Sequence, residues 1–368
     1  MKAIVSGGGS GGHIFPAVAI ANAIKRRWPE ADILFVGAEG RMEMEKVPAA
    51  GYPIKGLPIA GLQRQLTPAN IVKNLQLPFR IMKSHRMVKQ ILRQFRPDIV
   101  VGVGGFASEP TLKAASRLGF KTLLQEQNSY AGLTNKLLAK EAEVICVAYD
   151  GMERFFPREK IVFTGNPVRS VIEEMSCSRE EGLAHFGLSS DLPVVLVVGG
   201  SLGARSLNRM MECNLDFVKS SQMQVIWQTG RWGYSDAVAA VQASKADERV
   251  KVHEFIQRMD LAYAAADVIV SRAGAIAISE LCIVGKPVVL VPSPNVAEDH
   301  QTKNAMALVN KGAALMVPDA ECGAKGMPLV AEMLADKERR DAMSMSIQKM
   351  AVRGAADKIV DEIEKVIK

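Results

Sequence analysis

A histidine closing a glycine loop is the first group in this chain that could do chemistry. Gly7-Gly8-Gly9-Ser10-Gly11-Gly12-His13 follows the apolar run Ala3-Ile4-Val5 and leads into a helical stretch from Pro16 to Arg27. A strand, a glycine loop and a helix in succession aim backbone N–H groups at one point. Without Cβ atoms that backbone lets a phosphate- or sugar-bearing ligand come close. Cradling phosphate needs no titratable side chain, so His13 marks a place where something reacts. A second candidate is Glu280, in the helix that follows Ser271-Arg272-Ala273-Gly274-Ala275. Its neighbours Ile278, Leu281 and Ile283 are apolar, and one or two turns into that helix its carboxylate could hold a ribose diol. Gln125-Glu126-Gln127-Asn128, directly after an apolar strand, suits sugar or amide recognition. Glu298-Asp299-His300-Gln301 is another polar cluster beyond a strand.

The first loop alone leaves alternatives open. It satisfies GxGxxG, and Glu39, after the expected second strand, could serve as the acid of a dinucleotide site, which keeps an NAD-dependent oxidoreductase in play. An ATP-binding P-loop is excluded, because no Gly-Lys-Ser/Thr follows. A third glycine loop, Gly102-Val103-Gly104-Gly105-Phe106-Ala107-Ser108, belongs beside the first and would complete a nest of N–H donors suited to a pyrophosphate. The five cysteines form no metal-ligand spacing and read as buried thiols in a reducing compartment.

These residues must be positioned by an α/β scaffold. Apolar, β-rich runs at 3–5, 33–36, 98–103, 122–124, 144–147 and 161–163 alternate with helical segments, and the scheme repeats at 194–198, 225–228, 250–253, 268–271 and 287–291. Both halves open alike, the second with Val194–Val198 running into Gly199-Gly200-Ser201-Leu202-Gly203-Ala204. At 368 residues the chain calls for two domains, joined near the turn-prone Thr164-Gly165-Asn166-Pro167-Val168-Arg169. The expected division is 1–164, 165–340 and a C-terminal helix over 341–368, with ligands held in a cleft beyond the strands' carboxyl ends.

Charge is concentrated. Residues 46–97 hold ten Lys/Arg and no Asp/Glu, and since the whole chain is +7, the remainder nets −3. Sparse aromatics (5%) and the lack of any RNP-like or zinc-finger pattern argue against nucleic acid. Ile71, Leu75 and Phe79 are spaced by fours among Lys73, Arg80, Lys83 and Arg86, which describes an apolar strip ringed by cations for an anionic membrane surface. No apolar run approaches the roughly 20 residues of a membrane span, and no signal peptide is apparent. The expected place is therefore the cytoplasmic face of the cell (inner) membrane, as a peripheral protein.

Taken together, residues 9–17, 102–106, 126–128, 164–169, 199–204 and 271–275 resemble, in order and over nearly the full chain, the MurG family of bacterial glycosyltransferases. The resemblance implies a GT-B fold: two Rossmann-like parallel-sheet domains, with the C-terminal helix packing back on the first. It implies an inverting transfer of N-acetylglucosamine from UDP-N-acetylglucosamine to the muramoyl sugar of lipid I, an undecaprenyl-diphosphate-linked peptide, for peptidoglycan. Carried over motif by motif, donor contacts fall on Ser10, Gly11, Gly12, Asn128, Arg169, Ser201, Ile256, Glu280 and Gln301, and Gly104 and Gly105 form the acceptor loop. His13 is the candidate general base. Amides around Ser201 at a helix N-terminus, with Arg169 nearby, would meet the diphosphate's charge. Two departures stand out: Gln125 occupies a place where the family commonly has histidine, and the family's familiar proline after the Asn128 cluster is missing, since Ser129-Tyr130-Ala131-Gly132 stands there. No Asp-x-Asp tripeptide occurs, so no metal cofactor is expected, with Mg²⁺ at most stimulatory. Another UDP-sugar enzyme of the same fold, a glycolipid synthase or UDP-N-acetylglucosamine epimerase, is the nearest rival; a membrane-binding scaffold ranks last.

Overall fold

The structure, a computed structural model, describes residues 1–9, 11–59, 77–200, 202–296 and 299–368, and not the side chains of Leu77 and Pro78. The chain divides into two compact units, one formed by Met1–Val168 with Gly354–Lys368 and the other by Arg169–Arg353.

Among the described residues of the first unit, seven parallel strands lie in the order β3-β2-β1-β4-β5-β6-β7. They are β1 (Lys2–Ser6), β2 (Asp32–Ala38), β3 (Ile54–Leu57), β4 (Ile99–Gly102), β5 (Lys121–Glu126), β6 (Val144–Val147) and β7 (Ile161–Phe163). Period-2 geometry splits each central strand between two cores. Ala3, Val5, Ile33, Phe35, Ile99 and Val101 face the helices Gly11–Arg27 and Ala355–Ile367, while Ile4, Leu34, Val36, Val100 and Leu124 face the other side, where Val88, Leu92 and Leu112 are buried. Burial on both faces is what makes these strands continuous apolar runs.

The second unit repeats the design, with six parallel strands among its described residues in the order β10-β9-β8-β11-β12-β13. These are β8 (Val194–Val198), β9 (Gln224–Gln228), β10 (Val250–His253), β11 (Val268–Ser271), β12 (Val288–Leu290) and β13 (Leu315–Met316). Val195, Val197, Val225, Trp227, Val268 and Val270 pack against the helices Arg205–Cys213 and Cys322–Ala335.

Two expectations need adjusting. Strands β3 and β13 were not anticipated; both are short and lie at sheet edges, where one side has no ladder to satisfy. The stretch 341–368 is not one helix. Helix Lys337–Gln348 stays with the second unit, burying Met343 in its core, and only Ala355–Ile367 returns to the first. Gly354, at φ +68°, makes the break.

Candidate active site

Strand order positions the loops before any side chain is considered. Strands are added in opposite directions on either side of the β1/β4 pair, and residues 7–12 and 102–108 follow those two strands. The same reversal occurs at β8/β11, followed by residues 199–204 and 271–275. Such switch points open a crevice beyond the strands' carboxyl ends. All four of these sequence motifs therefore emerge where an α/β sheet binds ligands.

Within the first unit the two loops interlock. Val103 N and Ser108 Oγ both donate to Ser6 O, at 2.9 and 2.7 Å, folding the second loop back on the end of β1. Gly104 and Gly105 adopt φ of +94° and +90°; a Cβ on Gly105 would lie 2.4 Å from Gly8 O, and one on Gly104 2.9 Å from His13 Cε1. Only glycine admits both the backbone and the approach. A group that sequence reading missed holds the first loop: fully buried Glu43 accepts from Gly9 N at 2.9 Å and Ala38 N at 3.0 Å. One donor of the expected pyrophosphate nest is thus already committed to a carboxyl group. Glu39, the acid of the dinucleotide alternative, is exposed.

His13 is half-buried, with Nδ1 3.0 Å from Gln127 Oε1. Gln127, 1% exposed, donates through Nε2 to Val103 O at 2.9 Å, to Gln125 O at 3.1 Å and to Gln125 Oε1. Glu126 shapes the adjoining turn: its carboxylate accepts from Asn128 N, Asn128 Nδ2, Gly132 N and Asn135 Nδ2, at 2.9–3.2 Å. Asn128 is presented half-buried on that turn. Gly11 and Gly12 begin the helix Gly11–Arg27. Ser10 and Ser201 lie outside the described residues.

In the second unit Arg169 grips Glu280 bidentately, Nε to Oε1 and Nη2 to Oε2, each 2.7 Å. Glu280 is 4% exposed, so this planar fork supplies the charge its burial demands. Burial, then the neighbouring Glu280, drives the Tyr263 phenol far above its usual pKa, leaving it a neutral donor beside that carboxylate. The structure thus pairs two residues that the motifs assigned separately, one to ribose and one to diphosphate. Ile256 is buried with its N–H already given to Gln228 Oε1 at 2.9 Å, and Gln301 Oε1 accepts from Ser293 N at 2.8 Å, fastening the turn after β12. Arg272 links Val291 O, Asp319 and Ser206 Oγ, tying a strand end to the first turn of helix Arg205–Cys213. The sequence motif around it gave no hint of that role.

The candidate residues divide between the units: Gly11, Gly12, His13, Gly104, Gly105 and Asn128 in the first, Arg169, Ile256, Glu280 and Gln301 in the second. Among the described residues, no cluster of three His, Cys, Asp or Glu could hold a metal. Of the membrane patch, Ile71, Lys73 and Leu75 lie outside the described residues. On helix Leu77–Phe95, Phe79 and Met82 are 70% and 58% exposed, Lys83 and Arg86 are exposed, and Arg80 is half-buried. No helix among the described residues is long and apolar enough to cross a membrane.

Residues 3–147 match the glycosyltransferase family 28 N-terminal domain and residues 194–359 its C-terminal domain. A UDP-N-acetylglucosamine–N-acetylmuramyl-(pentapeptide) pyrophosphoryl-undecaprenol N-acetylglucosamine transferase of Parabacteroides distasonis is 57% identical over 366 residues, covering 100% of this chain and 98% of that protein. The enzyme of the same name from Flavobacterium psychrophilum is 48% identical, with the same coverage. The crystal structure of Acinetobacter baumannii MurG superposes with a TM-score of 0.78 at 28% identity, over 99% of each chain. A Neisseria meningitidis UDP-GlcNAc 2-epimerase shares the fold alone, at 14% identity and a TM-score of 0.67 over 99% of this chain and 100% of that one. With both halves matched in order and relatives this similar from end to end, the chain belongs to glycosyltransferase family 28, among the MurG N-acetylglucosaminyltransferases.

Proposed function

We propose that the protein transfers N-acetylglucosamine from UDP-N-acetylglucosamine to the C4 hydroxyl of the N-acetylmuramoyl sugar in the undecaprenyl-diphosphate-linked pentapeptide, with inversion. The observation that carries this reading is the 57% identity to a transferase of that name along the whole chain. The acceptor oxygen attacks the anomeric carbon, the bond from that carbon to the diphosphate oxygen breaks, and UDP leaves with the electron pair. His13 takes the hydroxyl proton; a neutral imidazole has the right basicity near pH 7. Glu280, its carboxylate oriented by Arg169, accepts the ribose hydroxyls. The positive end of helix Arg205–Cys213 faces the developing charge on UDP. Asn128, Ile256 and Gln301 complete the donor contacts, as do Ser10, Gly11, Gly12 and Ser201.

The polyprenyl chain of the acceptor stays in the bilayer, so the first unit works at the cytoplasmic face of the membrane. Phe79 and Met82 enter the headgroup boundary, and Lys83 and Arg86 meet acidic lipids. The decisive experiment measures UDP release with and without the lipid-linked acceptor. Release that requires the acceptor supports the transfer; release without it, with epimerised sugar as product, would replace the reading with an epimerase.

A further inference from the structure

Three buried amides form a chain whose hydrogen-bond polarity leaves no choice at any link. Asn166 Nδ2 donates to the backbone carbonyl of Gln127 at 3.0 Å. A carbonyl only accepts, so this end of the Asn166 amide must be nitrogen and the other end oxygen. Asn166 Oδ1 then accepts from Gln125 Nε2 at 3.1 Å, which turns Gln125 Oε1 the other way, toward Gln127 Nε2. Two further backbone carbonyls, Val103 O and Gln125 O, hold Gln127 Nε2 in the same sense, at 2.9 and 3.1 Å. Gln127 must therefore present its oxygen to His13, and Oε1 lies 3.0 Å from Nδ1. An oxygen acceptor demands a proton on Nδ1. All three amides are 2% exposed or less, so reversing any one would bury two facing donors or two facing acceptors.

From this geometry we infer that Asn166, Gln125 and Gln127 act as positioning residues that lock His13 in the tautomer with its proton on Nδ1 and its lone pair on Nε2. The inference deepens the proposed function, because it rests on His13 being the base and names the nitrogen that takes the proton. Gln125 is the middle link: it passes the polarity on by offering one donor and one acceptor. A neutral imidazole also offers one of each, so a histidine could stand there. A methionine or leucine could not. The amide differs from that histidine in one respect: it never titrates. The relay keeps its sense at every pH at which the protein is folded.

The test uses the full chain labelled with ¹⁵N-histidine, which contains five histidines; the His13 signals are those missing from His13→Ala. Two-bond ¹H–¹⁵N correlation above neutral pH should show His13 with Nδ1 protonated and Nε2 unprotonated. Gln127→Leu should mix the tautomers and lower kcat by roughly 10- to 100-fold, less than a histidine locked in the wrong tautomer loses. KM for UDP-N-acetylglucosamine should stay within about twofold, which a general loss of structure would not allow. Gln125→Met should behave like Gln127→Leu, and Gln125→His should restore both the Nδ1-protonated signal and kcat at alkaline pH. A wild-type signal with Nε2 protonated overturns the inference, and this spectrum decides even if the variants fail to fold. Should His13→Ala keep its kcat while the wild-type tautomer is as stated, it is the base assignment that falls and not the relay.

Discussion

At the scale of single residues, the candidate groups were readable and their supports were not. His13 and Glu280 stand out in the sequence because a titratable group at a glycine loop, or an acid among apolar neighbours, breaks the local pattern. Glu43 does not stand out: Arg41-Met42-Glu43-Met44-Glu45-Lys46 reads as an ordinary solvated helix start, and nothing in spacing shows that this carboxylate reaches Gly9, 34 residues away. The amide relay was equally hidden, since Asn166 and Gln125 are brought together only by the pairing of β5, β6 and β7. His13→Ala should lower kcat by ~10²–10⁴-fold with UDP affinity nearly intact, checked by steady-state kinetics and calorimetry; a variant keeping more than half of kcat removes His13 from the chemistry. Glu280→Gln should do two things at once. It replaces half of a buried charged pair, at a cost of ~1–3 kcal/mol and a Tm lower by several degrees, and it weakens UDP and the UDP-sugar together by about tenfold. If Tm falls while UDP binding holds, Glu280 serves only as the partner of Arg169.

At the scale of elements, central strands were legible because burial on both faces makes them unbroken runs of Val, Ile and Leu. Edge strands β3 and β13 were not, because Ile54-Lys55-Gly56-Leu57 and a two-residue pairing carry no such run. Helix Leu77–Phe95 shows how one pattern serves two purposes. Val88 and Leu92 are buried in the core as their spacing predicts, while Phe79 and Met82, near its N-terminus, turn outward beside Lys83 and Arg86. Changing Phe79, Lys83 and Arg86 to Ser, Glu and Glu should abolish sedimentation with anionic vesicles at low salt, since each cation at such a surface contributes ~1 kcal/mol. UDP binding, measured on the same variant, should not change. Vesicle binding at the wild-type level would return the patch to an ordinary solvated face. The donor-side elements make a separate prediction: without an Asp-x-Asp motif, turnover should persist in excess EDTA. Complete loss, reversed by Mg²⁺ or Mn²⁺, would show that a cation is required.

At the scale of the whole molecule, the order of the chain and the order of the fold differ. Helix Ala355–Ile367 buries Ala356, Ile359, Val360 and Ile363 in the core that holds Ile20 and Ile24, and Arg26 and Arg27 reach Asp357, Asp361 and Glu364 at 2.6–2.8 Å. The first unit is thus built from two separate stretches, residues 1–168 and 354–368, with the second inserted between them. Domains generally complete themselves from the N-terminus during synthesis. Here the later-made unit is the first whose sequence is all available, and the earlier-made one lacks the helix that covers Ile20 and Ile24 until residues 355–367 emerge. A stop codon at 354 should therefore cripple the N-terminal half and spare the C-terminal one. Limited proteolysis of the truncated protein should cut within 1–168 and leave 169–353 intact. A nascent chain stalled before that helix would leave the core around Ile20 and Ile24 uncovered, and one extended through it can close that face.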